Sequence, residues 1–82
     1  MFWAYVIKSD LNKIYIGHTS NLENRIKRHN GLLPVKKSSY TYKNGSNWRI
    51  IHKEEFDTRD EAIKREKELK SFKGRKFIKS LL

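Results

Sequence analysis

The chain has no cysteine, which excludes both a disulfide framework and a thiolate metal site. Its three histidines, His18, His29 and His52, lack the close pairing of a structural zinc site. No apolar run approaches the roughly 20 residues that span a bilayer. The N-terminal MFWAYVIKSD has no basic leader and too short an apolar run for a signal peptide. A soluble cytoplasmic protein with no membrane partner is expected. There are no internal repeats, linkers or low-complexity segments. Acidic residues are scarce, and none falls between Glu23 and Glu54.

Cations fill the space that the acids leave. The same interval holds Arg25, Lys27, Arg28, Lys36, Lys37, Lys43, Arg49 and Lys53, and the whole chain carries 19 Lys+Arg against 9 Asp+Glu, a net charge of +10. A polyanion is the natural partner, because each neutralised phosphate releases condensed counterions and adds salt-sensitive affinity. A generically basic, well-solvated surface would have the same composition. Nucleic acid is favoured over a membrane surface, since no helix combines a basic face with a broad apolar one.

The chain of 82 residues is expected to form one domain over residues 1–82. At that size folding buries only about 60–65% of the unfolded surface, so the core must be compact. A hydrophobic fraction of 37%, with 12% aromatic, suits a folded globule.

Phe2–Lys8 is aromatic and β-branched and reads as a buried strand. Ser9–Asn12 is a short polar connector before a second strand, Lys13–Gly17, and a link of this length favours an antiparallel hairpin. Ser20-Asn21-Leu22-Glu23 fits a capping box with Ser20 as the cap. A helix then runs to about Asn30, stopped by Gly31 and Pro34.

Residues 31–47 read as a loop in which Lys36, Lys37, Tyr40, Tyr42 and Lys43 interleave basic and aromatic side chains. Such a pattern suits phosphate contact plus base stacking, and the tyrosines would equally well cover an edge of the core. Trp48–Phe56 is a third strand, with Trp48, Ile50 and Phe56 on one face. Thr58-Arg59-Asp60-Glu61 is a second capping box, opening a helix through about Phe72. Gly74 breaks it before a final helix, Arg75–Leu82. The order β-β-α-β-α-α implies a small α+β domain with a three-stranded, mainly antiparallel sheet.

The second helix carries an anomaly. At roughly 100° per residue, Ala62 and Leu69 lie about 40° and 60° to one side of Glu66, and Ile63 about 60° to the other. Glu66 therefore sits in the apolar arc, where a carboxylate is costly unless paired or bound to a metal. Two readings are open: an ion pair with Lys70 one turn on, or a single oxygen ligand for a hard cation such as Mg²⁺. A Glu66 that points away and pairs with Lys70 would have no metal role.

Tyr15-Ile16-Gly17, the run Asn21–Asn30 with Arg25 and His29, and Glu66 within EAIKREKELK together resemble the GIY-YIG nuclease superfamily. Within it, the chain is similar to the small single-domain branch related to the nuclease module of excision-repair and homing endonucleases. Tyr15-Ile16-Gly17 stands as the YIG motif, and Trp3-Ala4-Tyr5 takes the place of GIY, keeping only the tyrosine, with nine residues between Tyr5 and Tyr15. The resemblance places Arg25 at the catalytic arginine, His29 at the Tyr/His position and Glu66 at the metal-binding glutamate. It implies hydrolysis of a DNA phosphodiester with one divalent metal, Mg²⁺ or Mn²⁺, with RNA not excluded as a substrate. The general base would be Tyr5, Tyr15 or His18. His18 needs no tuning to accept a proton at neutral pH, whereas a tyrosine does. Lys27, Arg28, Lys36, Lys37, Tyr40 and Lys43 are candidate nucleic-acid contacts. The lack of the separate DNA-binding domain that larger relatives use points to low sequence specificity. Small size, Trp3 in place of the glycine and that same lack motivate the alternative, a binding module on the same fold that does not cleave. If the site exists, Tyr5, Tyr15, Arg25, His29 and Glu66 should line one cleft.

Overall fold

A computed structural model describes residues 1–30 and 47–82. The expected Lys36, Lys37, Tyr40 and Lys43 contacts lie outside the described residues. Three strands, β1 (Phe2–Lys8), β2 (Ile14–Thr19) and β3 (Arg49–Phe56), form a sheet in the order β2-β1-β3. Both pairings are antiparallel. Three helices accompany them among the described residues: α1 (Leu22–His29), α2 (Arg59–Lys70) and α3 (Phe72–Ser80). The α+β class and the element order agree with the sequence reading.

β1 is central because it is the most apolar strand, buried at Ala4, Tyr5, Val6 and Ile7. Side chains alternate across a strand, so β1 feeds a core on each face. Ala4 and Val6 meet Leu69 of α2 and Ile78 of α3, with Ile14, Ile16, Ile51 and Phe56 at the margin. Tyr5 and Ile7 meet Trp48, with Tyr15 and the α1 residues Leu22 and Ile26 alongside. The sheet is thus the middle layer, with α1 on one face and the α2–α3 pair on the other.

The β1–β2 connection is tied down by Ser9. Its buried hydroxyl accepts from the Leu11 and Lys13 amides at 3.2 and 3.3 Å. Asn12 adopts a left-handed conformation with φ of 60°, which asparagine tolerates better than most residues. Asn30 performs a similar service for the other long connection. Its amide donates to the Trp48 carbonyl at 3.0 Å and accepts from the Trp48 amide, fixing residue 30 beside residue 48.

Four local expectations need correction. The cap of α1 is Asn21, whose side chain accepts from the Asn24 amide at 3.0 Å; Ser20 lies outside the helix, and Glu23 pairs forward with Lys27 at 3.7 Å. β2 continues past Gly17 to Thr19, because pairing with β1 keeps Ala4 opposite His18 and Trp3 opposite Thr19. Trp48, Ile50 and Phe56 do not share a face. A bulge between Val6 and Ile7 leaves Val6 opposite His52 and Ile7 opposite Ile50. The extra residue, Ile51, switches the parity of the strand, so that Phe56 joins the α2–α3 core while Trp48 joins the α1 core.

The break between α2 and α3 falls at Ser71, not Gly74. Ser71 ends α2 in extended backbone and caps α3 by accepting from the Gly74 amide. Gly74 sits inside α3, where an added Cβ would lie 2.2 Å from the Glu68 carbonyl oxygen and 2.5 Å from Leu69 Cα. The glycine is there for close approach of two helices rather than to end one.

The second capping box forms as expected. Thr58 accepts from the Glu61 amide at 3.3 Å and donates to its carboxylate at 2.9 Å. α2 is fastened to the sheet by polar contacts as well. The Glu54 carboxylate takes His52 Nε2 and Arg65 Nε, each at 2.8 Å, and Arg65 also reaches Glu68 at 3.2 Å. Partial burial pushes the Glu54 carboxyl up, but the hydrogen bonds from His52 and Arg65 outweigh it and hold it below the usual range. Among the described residues no helix is long and apolar enough to cross a membrane.

Candidate active site

Two polar clusters lie back to back across the edge strand β2. The first faces α1. Gly17 pairs with Tyr5 in the β1–β2 register, and the Tyr5 ring lies over the place where a Gly17 side chain would be. An added Cβ would come within 2.8 Å of the Tyr5 hydroxyl oxygen and 2.9 Å of Tyr15 Cε1. The glycine of the YIG triplet therefore makes room for two tyrosines.

The Tyr5 hydroxyl, buried in this notch, is 2.9 Å from His29 Nε2 and 3.3 Å from Arg25 Nε. Burial, with a contribution from Arg25, lowers His29 to about 4, so the imidazole is neutral near pH 7. Arg25 Nε donates to the tyrosine oxygen, and the tyrosine in turn donates to His29. Burial pushes the Tyr5 phenol up to about 12 despite the Arg25 hydrogen bond. The same bond raises Arg25 still further above its ordinary value, and its charge is permanent. Tyr15 completes the cluster, its ring centroid 4.9 Å from that of His29 and 6.2 Å from that of Tyr5. One turn of α1 separates Arg25 from His29, and Leu22 and Ile26 on the inner face set the rotation that brings both to Tyr5.

The second cluster faces α2. His18 projects on the same side as Ala4, and its Nδ1 lies 2.9 Å from Glu66 Oε1. The other Glu66 oxygen is 3.5 Å from Lys70 Nζ. Glu66 stands between the buried Ala62 and Leu69 on α2, and its side chain is only 15% exposed. Both partners that resolve its anomalous position are now identified: one from its own helix and one from β2, 48 residues away in sequence. With Nδ1–H donating to Glu66, the remaining lone pair of His18 is on Nε2.

Arg25 joins the two clusters. His18 and Arg25 line one cleft of about 230 Å³ with Phe2, Thr19, Ser20 and Arg59. The Glu66 carboxylate is close enough to favour the charged form of Arg25 and to disfavour ionisation of Tyr5. The expectation of one cleft lined by all five residues is not met, since only Arg25 of the five lines it. Tyr5, Tyr15 and His29 form a packed support behind Arg25, and the cleft itself presents Arg25 and His18, with Glu66 holding the latter.

Arg59 was not expected. It opens α2, where a cation opposes the helix dipole, and that unfavourable placement was the available sign that it serves something other than the helix. Of the helical candidates, Lys27 is exposed and paired with Glu23, and it lines a different groove with Trp3 and Ile26. Arg28 is exposed on α1.

Among the described residues no group of three or more His, Asp or Glu side chains converges as a complete cation cage. Glu66 fits only the sparse arrangement in which one carboxylate holds a hard cation and water and phosphate supply the remaining ligands. Its donor chemistry is suitable, because the half-exposed Lys70 at 3.5 Å is an exchangeable partner.

Comparison with known proteins gives the family and the fold. The profile of the GIY-YIG catalytic domain matches residues 1–78. A UPF0213 protein of Staphylococcus saprophyticus is 35% identical over 77 residues, covering 94% of this chain and 89% of the relative. One from Staphylococcus haemolyticus is 33% identical over 79 residues, covering 96% and 92%. One from Haloquadratum walsbyi is 33% identical over 70 residues, covering 85% and 74%. The solution structure of a UPF0213 protein from Bacillus halodurans superposes with a TM-score of 0.54 over 99% of this chain and 85% of its own. At 24% identity that likeness shows the fold.

Proposed function

The chain belongs to the GIY-YIG catalytic-domain family, and from that premise we propose that it is a divalent-metal-dependent DNA endonuclease of low intrinsic sequence specificity. The observation that carries this reading is the convergence of Arg25 and His18 on one cleft, with Glu66 hydrogen-bonded to His18 behind it. Residues from α1, β2 and α2 meet there, and hydrolysis of a phosphodiester asks for the same chemical types.

Arg25 binds the scissile phosphate through the guanidinium nitrogens not engaged by Tyr5 Oη, placing fixed positive charge where negative charge develops. Arg59, across the cleft, adds a second cation for a neighbouring phosphate. His18, with Nδ1 held by Glu66, accepts the proton of the attacking water at Nε2. Of the three candidate bases it is the one that lines the cleft, and Tyr5, raised to about 12 and spent on His29, is disfavoured. Tyr5 is a positioning residue that fixes Arg25. Glu66 would hold the cation by giving up Lys70, and such a cation supplies Lewis-acid stabilisation of the phosphate and the leaving oxygen.

The net charge of +10 supports nucleic acid as substrate, and the cations among the cleft's described lining residues, Arg25 and Arg59, suit phosphate, which carries no sequence information, in support of low specificity. The test is nicking of supercoiled plasmid by purified protein in Mg²⁺, Mn²⁺ or EDTA. Nicking is expected with metal and not in EDTA, and is expected to vanish in folded Arg25→Ala and Glu66→Ala proteins. Salt-sensitive binding without cutting in any metal would overturn the reading in favour of a non-cleaving module.

A further inference from the structure

Beside the cleft, on the same edge of the sheet, runs a larger groove that the proposed chemistry does not use. It encloses about 510 Å³ between β2 and α3. Ile14, Ile16 and Ile78 form its floor, and Lys70, Arg75 and Lys79 its rim. Tyr15 also lines it.

Ile14 and Ile16 fall on the same side of β2 as His18, since side chains two apart share a face. The row Ile14–Ile16–His18 spans about 13 Å. Lys70 links the two through Glu66: it lines the groove, and its ammonium contacts at 3.5 Å the carboxylate that holds His18. A chain lying along the edge of β2 would therefore run from Arg25 and Arg59, past His18, toward Arg75 and Lys79.

We infer that this groove holds an unpaired stretch of the nucleic-acid strand that enters the cleft, so that the preferred substrate is single-stranded or carries an unpaired flap next to the cut. The inference rests on the nucleic-acid reading of the cleft. Charge selects the occupant: three cations ring the groove, and its described lining residues include no carboxylate. The floor selects its form. A duplex offers phosphates to the rim but turns its bases inward, leaving the isoleucines uncovered. Unpaired bases can cover the apolar floor while their phosphates meet the rim.

The test is fluorescence anisotropy in EDTA, where no cutting occurs, with a labelled oligothymidine of about twenty nucleotides and a blunt duplex of the same length. Wild type is expected to bind the single strand at least about tenfold more tightly. Lys79→Glu, and the Arg75→Glu/Lys79→Glu pair, are expected to remove that preference while weakening duplex binding less than about threefold. Lys79 is exposed, so its replacement is expected to leave the fold intact; Arg75 donates to the Lys70 carbonyl at 3.2 Å, so the single variant stands as the control for the pair. Lys64→Glu, an equal change of charge on the exposed side of α2, should weaken both ligands alike.

A wild type that prefers the duplex, or groove variants that weaken both ligands equally, overturns the inference. Nucleic-acid binding untouched by the groove variants would also overturn it and give the groove to a protein partner. Because binding is read without cutting, a groove-dependent preference for single strands survives even if no nicking occurs, and the nuclease reading then fails alone.

Discussion

Replacing Gly17 with alanine probes the support of the site through a single methyl group. The added carbon would sit 2.8 Å from the Tyr5 hydroxyl, 2.9 Å from Tyr15 Cε1 and 3.0 Å from Tyr5 Cζ, distances at which something must move. Tyr5 is fully buried and held by His29 and Arg25, so it cannot swing aside freely. Overpacking of this kind costs about 1–3 kcal/mol. Displacing the phenol also weakens two hydrogen bonds, each contributing about 0.5–1.5 kcal/mol. Against this, alanine restricts the unfolded chain and returns about 0.4–1 kcal/mol. The net expectation is a loss of about 2 kcal/mol, or a fall in Tm of about 8–16 °C for a domain of this size.

Thermal unfolding followed by circular dichroism measures it. Combining Gly17→Ala with Tyr5→Phe removes the oxygen nearest to the new methyl, so the double variant should lose less than the sum of the two singles, with a coupling of about 0.5–3 kcal/mol. A Gly17→Ala protein melting within about 2 °C of wild type, or strict additivity, would refute the close-approach argument.

Two further substitutions test other parts of the structure. His29, lowered to about 4 by burial and Arg25, binds its proton less readily folded than unfolded, where its value is about 6.5. Its contribution to stability is therefore present above pH about 6.5 and is lost as pH falls from there to about 4. The full window corresponds to at most roughly 3 kcal/mol, less whatever solvent screens. Urea unfolding at pH 7 and pH 4.5 should show a smaller drop for His29→Gln than for wild type, and an equal drop would sink the assignment. Gly74→Ala should be more damaging than Gly17→Ala, with a loss of about 3 kcal/mol or more, because its Cβ would meet backbone rather than side chains. The same urea titration checks it.

The sequence showed the pieces of the site more clearly than their arrangement. β1 ran where its aromatic and β-branched residues said it would, and Thr58 and Glu61 marked the start of α2 because a capping box is a contact within one turn. Glu66 announced itself by standing in an apolar arc. Its partner His18 is 48 residues away, and nothing local in either segment points to the other. The bulge at Ile51 was invisible for a related reason. Isoleucine suits both faces of a half-buried strand, so the parity switch is fixed by packing on two cores rather than by residue type. Gly74 misled because glycine serves both helix ends and close contacts, and only the position of Glu68 and Leu69 tells them apart. The division into a packed tyrosine–histidine support and an open arginine–histidine cleft depends on strand register, which composition does not contain.

The central claim is that Glu66 and His18 act as one unit on the substrate held by Arg25. Single-turnover cleavage of an end-labelled DNA strand in Mg²⁺ tests it, using wild type, His18→Ala, Glu66→Gln and the double variant at matched stability. Each single change is expected to slow cleavage by about a hundredfold or more, the range of general acid–base catalysis. The double variant should be no slower than the worse single, because residues acting as a unit are not additive. Wild-type rates in either single variant, or losses that multiply in the double, would contradict the pairing on which the account rests.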